Sequence, residues 1–273
     1  MTNIFTNTDI FRTINEYTDL RSLCDTCILF TTLKKYINYK LNKKYSLMYY
    51  DDIAFRNIII NKIFKPCNQL YLYLSLCDNI IDVSALGKVH TLDLSECYNI
   101  IDVSALGNVH TLNLGWSNKI RDVSALGNVH TLKLTYCKNI TDVSALGNVH
   151  TLDLSWCKIT DVSTLGNVHT LDLSWSNNIT DVSSLGRVHT LNLCRCDNIT
   201  DISALGNIHT LDLSCCNKIT DVSALGNVHT LDLSYCKGIT DVSALGNVHT
   251  LDLSYCENIT DISALGNVHL IKN

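Results

Sequence analysis

Ten histidines recur along this chain at one phase of a repeat, with a spacing of 20 residues and a single spacing of 19. They are His90, His110, His130, His150, His169, His189, His209, His229, His249 and His269. Histidine is a common metal ligand, but a metal site needs three or four ligands that converge on one point. A straight row offers neighbouring pairs only. We therefore expect a ladder of stacked imidazoles whose neighbours depress their pKa, and no metal or cofactor.

Aspartates dominate a second row, three residues after each histidine, and include Asp153 and Asp172. General acid–base catalysis needs two differentiated groups in a cleft. Identical carboxylates on an open face instead predict a solvated row, or one that meets a basic partner. The GxGxxG, GxxxxGK[ST], GxSxG and HExxH motifs do not occur in the sequence. The expectation is a protein that is not an enzyme and has no catalytic residues.

Cysteines form a third row, which predicts a column of small apolar side chains inside the protein. Eight of the 13 occupy one phase: Cys77, Cys97, Cys137, Cys157, Cys196, Cys216, Cys236 and Cys256. Ser117 and Ser176 hold that place in two copies. The chain starts without a basic segment followed by an apolar run, and no apolar stretch reaches about 20 residues. We expect reduced thiols in an intracellular, cytoplasmic protein with no membrane span. The CxxC at 24–27 is interpreted as helix packing rather than a metal or redox site.

The residue just before the cysteine column varies most between copies and is often aromatic. Exposed aromatic residues are typical binding anchors, although a stack that only stabilises the sheet edge remains an alternative. The candidate partner-binding residues are Trp116, Tyr136, Trp156, Trp175, Arg195, Tyr235 and Tyr255, together with Asp153 and Asp172 of the acidic row.

One repeat, residues 89–108, shows how these rows are positioned. Apolar and polar residues alternate strictly over 91–95, which predicts a short strand with one buried face. Asp102 is a good N-cap and Gly107 a good C′ residue, so the second half is expected to form one turn of helix or 3₁₀-helix. Stacked copies would form a parallel sheet with strands about 4.8 Å apart.

Charge is uneven along the chain. Residues 1–68 carry 10 Lys and Arg against 6 Asp and Glu, whereas residues 69–273 carry 11 against 20. Nucleic-acid binding needs a basic face, and the repeat region is acidic overall. We therefore expect a protein partner and no nucleic acid.

The pattern V-x-x-L-x-L-x-x-C-x-x-I followed by x-D-V-S-x-L resembles the cysteine-containing leucine-rich repeat over roughly residues 69–273. The resemblance implies an α/β solenoid: a weakly curved or nearly straight arc with a parallel β-sheet on its concave face and short helical or 3₁₀ returns. About ten copies of 20 residues, one of them 19, would occupy 66–273 after a small all-α region, 1–65. The deletion, at residues 157–159, is expected to be absorbed in a turn.

The segment 9–30 resembles a degenerate F-box. That family has D-L-x-x-L-x-x-x-C-x-x-W after an apolar helix; Asp19, Leu20, Leu23 and Cys27 match, and Phe30 stands at the Trp position. The resemblance implies contact with a Skp1-like adaptor through Ile10, Ile14, Leu20, Leu23, Cys27 and Phe30. The alternative is a helical cap for the solenoid. Third and fourth helices are predicted over 31–45 and 50–64.

An F-box before leucine-rich repeats implies a substrate-recognition subunit of an SCF-type (Skp1–cullin–F-box) ubiquitin ligase; a plain repeat scaffold is the alternative. The near-identical repeats and the Asn-, Ile-, Lys- and Tyr-rich N-terminal region are similar to proteins of AT-rich genomes, including giant DNA viruses, which implies a host cytoplasm. The last predicted strand, 268–271, has no capping repeat after it. Because open strand edges invite pairing, a C-terminal edge-to-edge dimer is a further hypothesis.

Overall fold

The computed structural model describes residues 39–60, 69–266, 268 and 270–272. Twelve strands form one parallel sheet in chain order. They are β1 (Tyr39–Leu41), β2 (Leu70–Tyr73), β3 (Thr91–Asp93), β4 (Thr111–Asn113), β5 (Thr131–Lys133), β6 (Thr151–Asp153), β7 (Thr170–Asp172), β8 (Thr190–Asn192), β9 (Thr210–Asp212), β10 (Thr230–Asp232), β11 (Thr250–Asp252) and β12 (Leu270–Lys272). Equivalent residues of successive repeats lie side by side, as Leu92 does with Leu112. The predicted α/β solenoid is confirmed.

Each coil returns to the sheet through a short 3₁₀ turn. These turns cover Ser84–Leu86, Ser104–Leu106, Ser124–Leu126, Ser144–Leu146, Leu165–Asn167, Ser183–Leu185, Ser203–Leu205, Ser223–Asn227, Ser243–Leu245 and Ser263–Leu265. The predicted N-cap is wrong by one residue, because Val103 holds the N-cap position and makes no side-chain capping bond. Asp102 Oδ1 instead accepts a hydrogen bond from the backbone N–H of Ser104 at 2.8 Å, two residues on, as in an Asx-turn. That bond favours the ionised carboxylate and lowers the pKa of Asp102.

The glycine that each copy carries in or just after its 3₁₀ turn has a different role from the predicted one. A C′ glycine ends a helical turn in a left-handed conformation, but the φ of Gly107 is −61°, so that prediction is wrong. A Cβ atom at Gly107 would lie only 2.3 Å from the carbonyl oxygen of Ala125 in the next coil. Glycine is therefore required there by the close approach of successive coils.

The core runs along the solenoid behind the sheet. In one coil, Leu92, Leu94, Cys97, Ile100 and Leu106 are buried. The cysteine column is confirmed: most of its members are buried, and the thiol of Cys97 donates to a main-chain oxygen of the preceding coil, Leu74 O, at 3.1 Å.

The two serines of this column differ from each other. Ser176 Oγ donates to Leu154 O at 3.3 Å. Ser117 Oγ is buried and has no hydrogen-bond partner within the described structure. A buried hydroxyl without a partner is destabilising, so Ser117 is a weak point of the column.

The described part of the N-terminal region closes the first end of the sheet. It contains β1 and two helices, α1 (Lys43–Asp51) and α2 (Ile53–Ile58). The all-helical prediction is wrong here, because β1 lies inside the predicted helix over 31–45 and pairs in parallel with β2. The edge of β2 offers unpaired backbone groups, and β1 satisfies them. The predicted helix over 50–64 begins later, since Asp52 caps α2 by accepting from the backbone of Ala54 and Phe55.

The cap packs against the repeats with its aromatic side chains. Tyr45, Tyr49 and Phe55 are buried in the same core as the first coils. Residues 1–38 and 61–68, and with them Pro66 and both halves of the CxxC pair, lie outside the described residues. None of the helices in the described ranges is long and apolar enough to cross a membrane.

The 19-residue coil fits the stack without a register shift. Thr151 and Leu152 on β6 pair with Thr170 and Leu171 on β7, as in every other pair of coils. The 3₁₀ turn of this coil is displaced to Leu165–Asn167. The missing residue is therefore absorbed outside the sheet, as predicted.

Candidate binding face

The histidines form a ladder along the starts of the strands. From His90 to His249, neighbouring ring centroids lie 4.4–4.6 Å apart and neighbouring ring planes differ by 10–14°. Each Nδ1 lies 3.0–3.3 Å from the hydroxyl oxygen of the following threonine. Loss of hydration, and then repulsion from neighbouring imidazoles, lower the pKa of His150 and His189. The predicted ladder is confirmed over these coils; His269 lies outside the described residues.

The acidic row uses much of its acceptor capacity within the sheet. Asp153 Oδ1 accepts from the backbone N–H of Ser155 at 3.0 Å and from its hydroxyl at 2.6 Å. Asp153 Oδ2 accepts from the hydroxyl of Thr135 at 2.7 Å. Asp172 Oδ1 likewise accepts from the backbone N–H of Ser174 at 2.9 Å. These carboxylates are half-buried turn-forming groups rather than freely solvated ones; their contact with a partner stays a prediction.

The variable column before the cysteines has an unusual backbone. All ten of its residues, Leu76, Glu96, Trp116, Tyr136, Trp156, Trp175, Arg195, Cys215, Tyr235 and Tyr255, have φ between 56° and 67°. This left-handed region is disfavoured for residues with a Cβ. Hydrogen bonds to the next coil hold it, such as the bond from Trp116 N to Thr135 O at 2.8 Å. Residue types offer no sign of it, since none of the ten is glycine.

The aromatic members of this column stack and still expose their edges. Ring centroids of Trp116 and Tyr136 lie 3.9 Å apart, and those of Trp156 and Trp175 lie 4.2 Å apart. The Arg195 guanidinium lies 4.6 Å from the Trp175 ring centre. The exposed fractions of Trp116, Trp156 and Trp175 are 44%, 41% and 37%. Stacking and exposure therefore occur together, so both interpretations of the column remain compatible with the structure.

The structure divides the candidate residues into two groups. Residues from Trp116 to Arg195 form one run, in which the Tyr136 and Trp156 rings are tilted by 49° at 6.2 Å. Tyr235 and Tyr255 form a separate stacked pair at 4.4 Å. The half-exposed Cys215 lies between the two groups. The six candidate adaptor-binding residues, Ile10, Ile14, Leu20, Leu23, Cys27 and Phe30, lie outside the described residues.

Two cysteines outside the column, Cys194 and Cys215, were not predicted as accessible thiols. Cys194 and Cys215 lie on the strand side of the coils and are partly exposed. Burial raises the pKa of Cys194, while the hydroxyl of Ser214 and the charge of Arg195 lower it. Their positions in the repeat could have indicated this exposure, because both lie at phases other than that of the buried column. Across the described ranges, no group of three or more His, Cys, Asp or Glu converges as metal ligands would.

Comparison with known families agrees with this geometry. The model of the Leucine Rich repeat family matches residues 148–163, 207–226 and 227–246. The repeats in these three segments are leucine-rich repeats. Leucine-rich repeats suggest a protein–protein interaction module, and proteins built from them are typically non-enzymatic. No curated protein matches the sequence.

Several solved structures match this chain at low sequence identity. The functional domain of InlJ from Listeria monocytogenes, which includes a cysteine ladder, is 24% identical with a TM-score of 0.50, over 75% of this chain and 46% of that one. An internalin, inlF, from the same species is 23% identical (TM-score 0.44; 74% and 79% covered). A leucine-rich-repeat protein of Leptospira interrogans is 17% identical (TM-score 0.45; 74% and 70% covered). At these identities the similarity concerns the fold alone.

Proposed function

We propose that this leucine-rich-repeat chain holds a protein partner on the aromatic column, and that it does no chemistry itself. The carrying observation is the run of exposed tryptophans, Trp116, Trp156 and Trp175, on a backbone fixed by bonds between coils. Large aromatic side chains lose little conformational entropy on binding and dominate many interfaces. A fixed backbone lowers the cost of binding further, because less ordering is needed.

Affinity capture from cell extract tests this proposal by comparison between variants. The column variant Trp116→Ser/Trp156→Ser/Trp175→Ser is compared with the wild type by quantitative mass spectrometry. The control variant, Ile81→Ser/Ile101→Ser, removes apolar residues of similar or greater exposure (62% and 61%) from another part of the surface. Loss of a hot-spot cluster costs about 2 kcal/mol or more, roughly a 30-fold loss of capture. A protein captured by the control but not by the column variant supports the proposal. Equal capture by all three chains refutes it.

We propose further that the chain is the substrate-recognition subunit of an SCF-type ligase, with residues 9–30 binding the Skp1-like adaptor. This rests on the F-box-like pattern around Leu20 and Leu23. It is supported by the cap, since residues 39–60 already close the solenoid and share its core. Segment 9–30 is then not needed as a cap. We keep the boundary between the two regions at residue 66 as part of this proposal.

A Skp1 pull-down with the full chain tests the adaptor contact. We expect the wild type and the tryptophan column variant to bind Skp1, and Leu20→Asp/Leu23→Asp to lose binding by more than tenfold. If the wild type does not bind, the ligase role is excluded and a plain repeat scaffold with an N-terminal cap remains. We place the chain in the cytoplasm, of a host cell if its source is a giant virus. Cell fractionation, with the chain in a membrane or secreted fraction, would contradict this.

A C-terminal edge-to-edge dimer is also proposed. β12 is the last described strand and pairs with β11 on one side. None of the described strands pairs with its other edge, and we place the second copy there because open strand edges invite pairing. Sedimentation equilibrium at about 100 μM separates a dimer from a 30.5 kDa monomer. A monomeric mass at that concentration dismisses the dimer.

A further inference from the structure

The acidic row of the sheet is interrupted at β8, where Asn192 stands, and over the neighbouring strands β4 and β5. Only the interruption at β4 and β5 brings in a positive charge. Asn113 on β4 and Lys133 on β5 replace the aspartate found on β3, β6, β7 and the strands from β9 to β11. Two more lysines, Lys138 and Lys158, follow the cysteine column in the same and the next coil. We define the basic patch as Lys133, Lys138 and Lys158 with the aromatic residues Trp116, Tyr136 and Trp156.

The lysines of the basic patch have no carboxylate partner in the described structure. Lys133 is exposed and lies in register between Asn113 and Asp153. Both oxygens of Asp153 already accept hydrogen bonds from Ser155 and Thr135. Lys133 is exposed and forms no ion pair among the described residues, and the half-buried carboxylate of Asp153 lies one strand away.

The other two lysines occupy equivalent positions of successive coils. Lys138 Nζ lies 3.7 Å from the centre of the Tyr136 ring, which holds it beside the aromatic column. Lys158 is exposed and follows Cys157 as Lys138 follows Cys137. Since successive coils are about 4.8 Å apart, the two side chains start close together and their like charges repel. An anion bound between them would relieve that repulsion.

We propose that the basic patch binds an acidic peptide segment of the protein partner. This inference rests on the proposed function and names the chemistry that the column recognises. The carboxylates of the segment would pair with the lysines, and its aliphatic parts would pack on the exposed edges of Trp116 and Trp156. Three coils span about 14 Å, which is the length of about four extended residues.

A nucleic acid fits this surface less well than a peptide. A nucleic-acid strand carries a phosphate at every nucleotide along its whole length. A strand longer than the patch would run onto Asp93 on one side, or onto Asp172 on the other. A short acidic peptide segment can instead lie on the three lysines alone and avoid these aspartates.

Fluorescence anisotropy with the full chain tests the proposal. The probe is a fluorescein-labelled decapeptide of alternating Glu and Ala, and the comparison probe is a labelled twelve-nucleotide oligo-dT. We expect saturable peptide binding that weakens as NaCl rises from about 50 to about 300 mM, because ion pairs are screened. Lys138→Glu/Lys158→Glu should lose at least tenfold in peptide affinity, and Trp116→Ser/Trp156→Ser at least threefold.

The matched control is Lys218→Glu/Lys237→Glu, which makes the same change of charge elsewhere. Lys237 stands at the same phase of its coil as Lys138, and Lys218 bonds to Asn198 Oδ1. This variant should bind the peptide within twofold of the wild type. An equal loss in both variants, tighter binding of oligo-dT than of the peptide, or no peptide binding overturns the inference. The proposed function survives that result if the tryptophan column variant still loses its captured protein.

Discussion

Gly127→Ala tests how closely the coils of this solenoid pack. Gly127 has φ −62° and ψ −15°, which alanine adopts without strain. The new Cβ would lie 2.4 Å from the carbonyl oxygen of Ala145 in the next coil. Carbon–oxygen contacts rarely fall below about 3.3 Å. The two coils must therefore separate locally by about 1 Å, or the backbone must bend.

The cost follows from that separation. Overpacking a tight site costs about 1–3 kcal/mol. The same two coils are joined by hydrogen bonds from Leu114 N to Lys133 O (2.9 Å) and from Trp116 N to Thr135 O (2.8 Å). Weakening one of these adds about 1 kcal/mol. Together these two costs predict that the free energy of unfolding falls by about 2–4 kcal/mol. The disturbance stays local, because each repeat contacts only its neighbours.

Urea denaturation followed by circular dichroism measures the effect against two controls. Gly115→Ala changes the same coil, but its Cβ would meet nothing closer than 3.3 Å, the flexible side chain of Asn113. Gly266 has φ −59° and no atom within 4 Å of a Cβ. Both controls should stay within about 1 kcal/mol of the wild type. If all three variants unfold at the same urea concentration, the close coil contact is not what requires glycine.

Three further predictions concern the columns of the solenoid. Ser117→Cys should raise the free energy of unfolding by about 1 kcal/mol, because it removes a buried hydroxyl without a described partner. Ser176→Cys exchanges a hydroxyl hydrogen bond to Leu154 O for a weaker thiol one, so it should gain less in the same urea titration. N-ethylmaleimide followed by peptide mapping should label Cys194 and Cys215 well before Cys137, since burial raises the pKa of Cys137 to about 12; equal labelling rates would contradict this. Stability should be greatest above a pH of about 6.5 and fall as the pH drops below it, because the folded protein depresses the pKa of several ladder histidines while the unfolded chain does not; a thermal midpoint unchanged between about pH 7.5 and 5.5 would count against the ladder as the cause.

The sequence was sufficient for the features that depend on one repeat and its copies. The alternation over 91–95 predicted β3, and the fixed phases of His90 and Cys97 predicted the ladder and the column. Copying a short motif leaves one consistent way to bury its apolar face, which is to stack the copies. The exposed aromatic candidates were also found in this way, as departures from an otherwise constant repeat.

Features that depend on contact between distant groups could not be found in the same way. β1 is a strand because the edge of β2 needs a partner, whereas its own residues also suit a helix. Gly107 resembles a helix-ending glycine until the position of Ala125 in the next coil is known. Hydrogen bonds to the following coil fix the left-handed column. The residue types at these positions therefore do not predict its conformation.

The left-handed column separates the side chains that we propose for binding from the backbone contacts that stack the coils. Glu96, Trp116, Arg195 and Tyr235 share nearly the same φ, and each donates its N–H to the following coil at 2.8–2.9 Å. In each of these coils, this hydrogen bond offsets the cost of the left-handed backbone, and it does so for any side chain at the position. Substitutions at these positions should therefore change the exposed surface while leaving the stacking of the coils almost unchanged. The ten column positions can therefore vary independently of the fold. Point mutations would alter the exposed surface, and duplication of a coil would lengthen it.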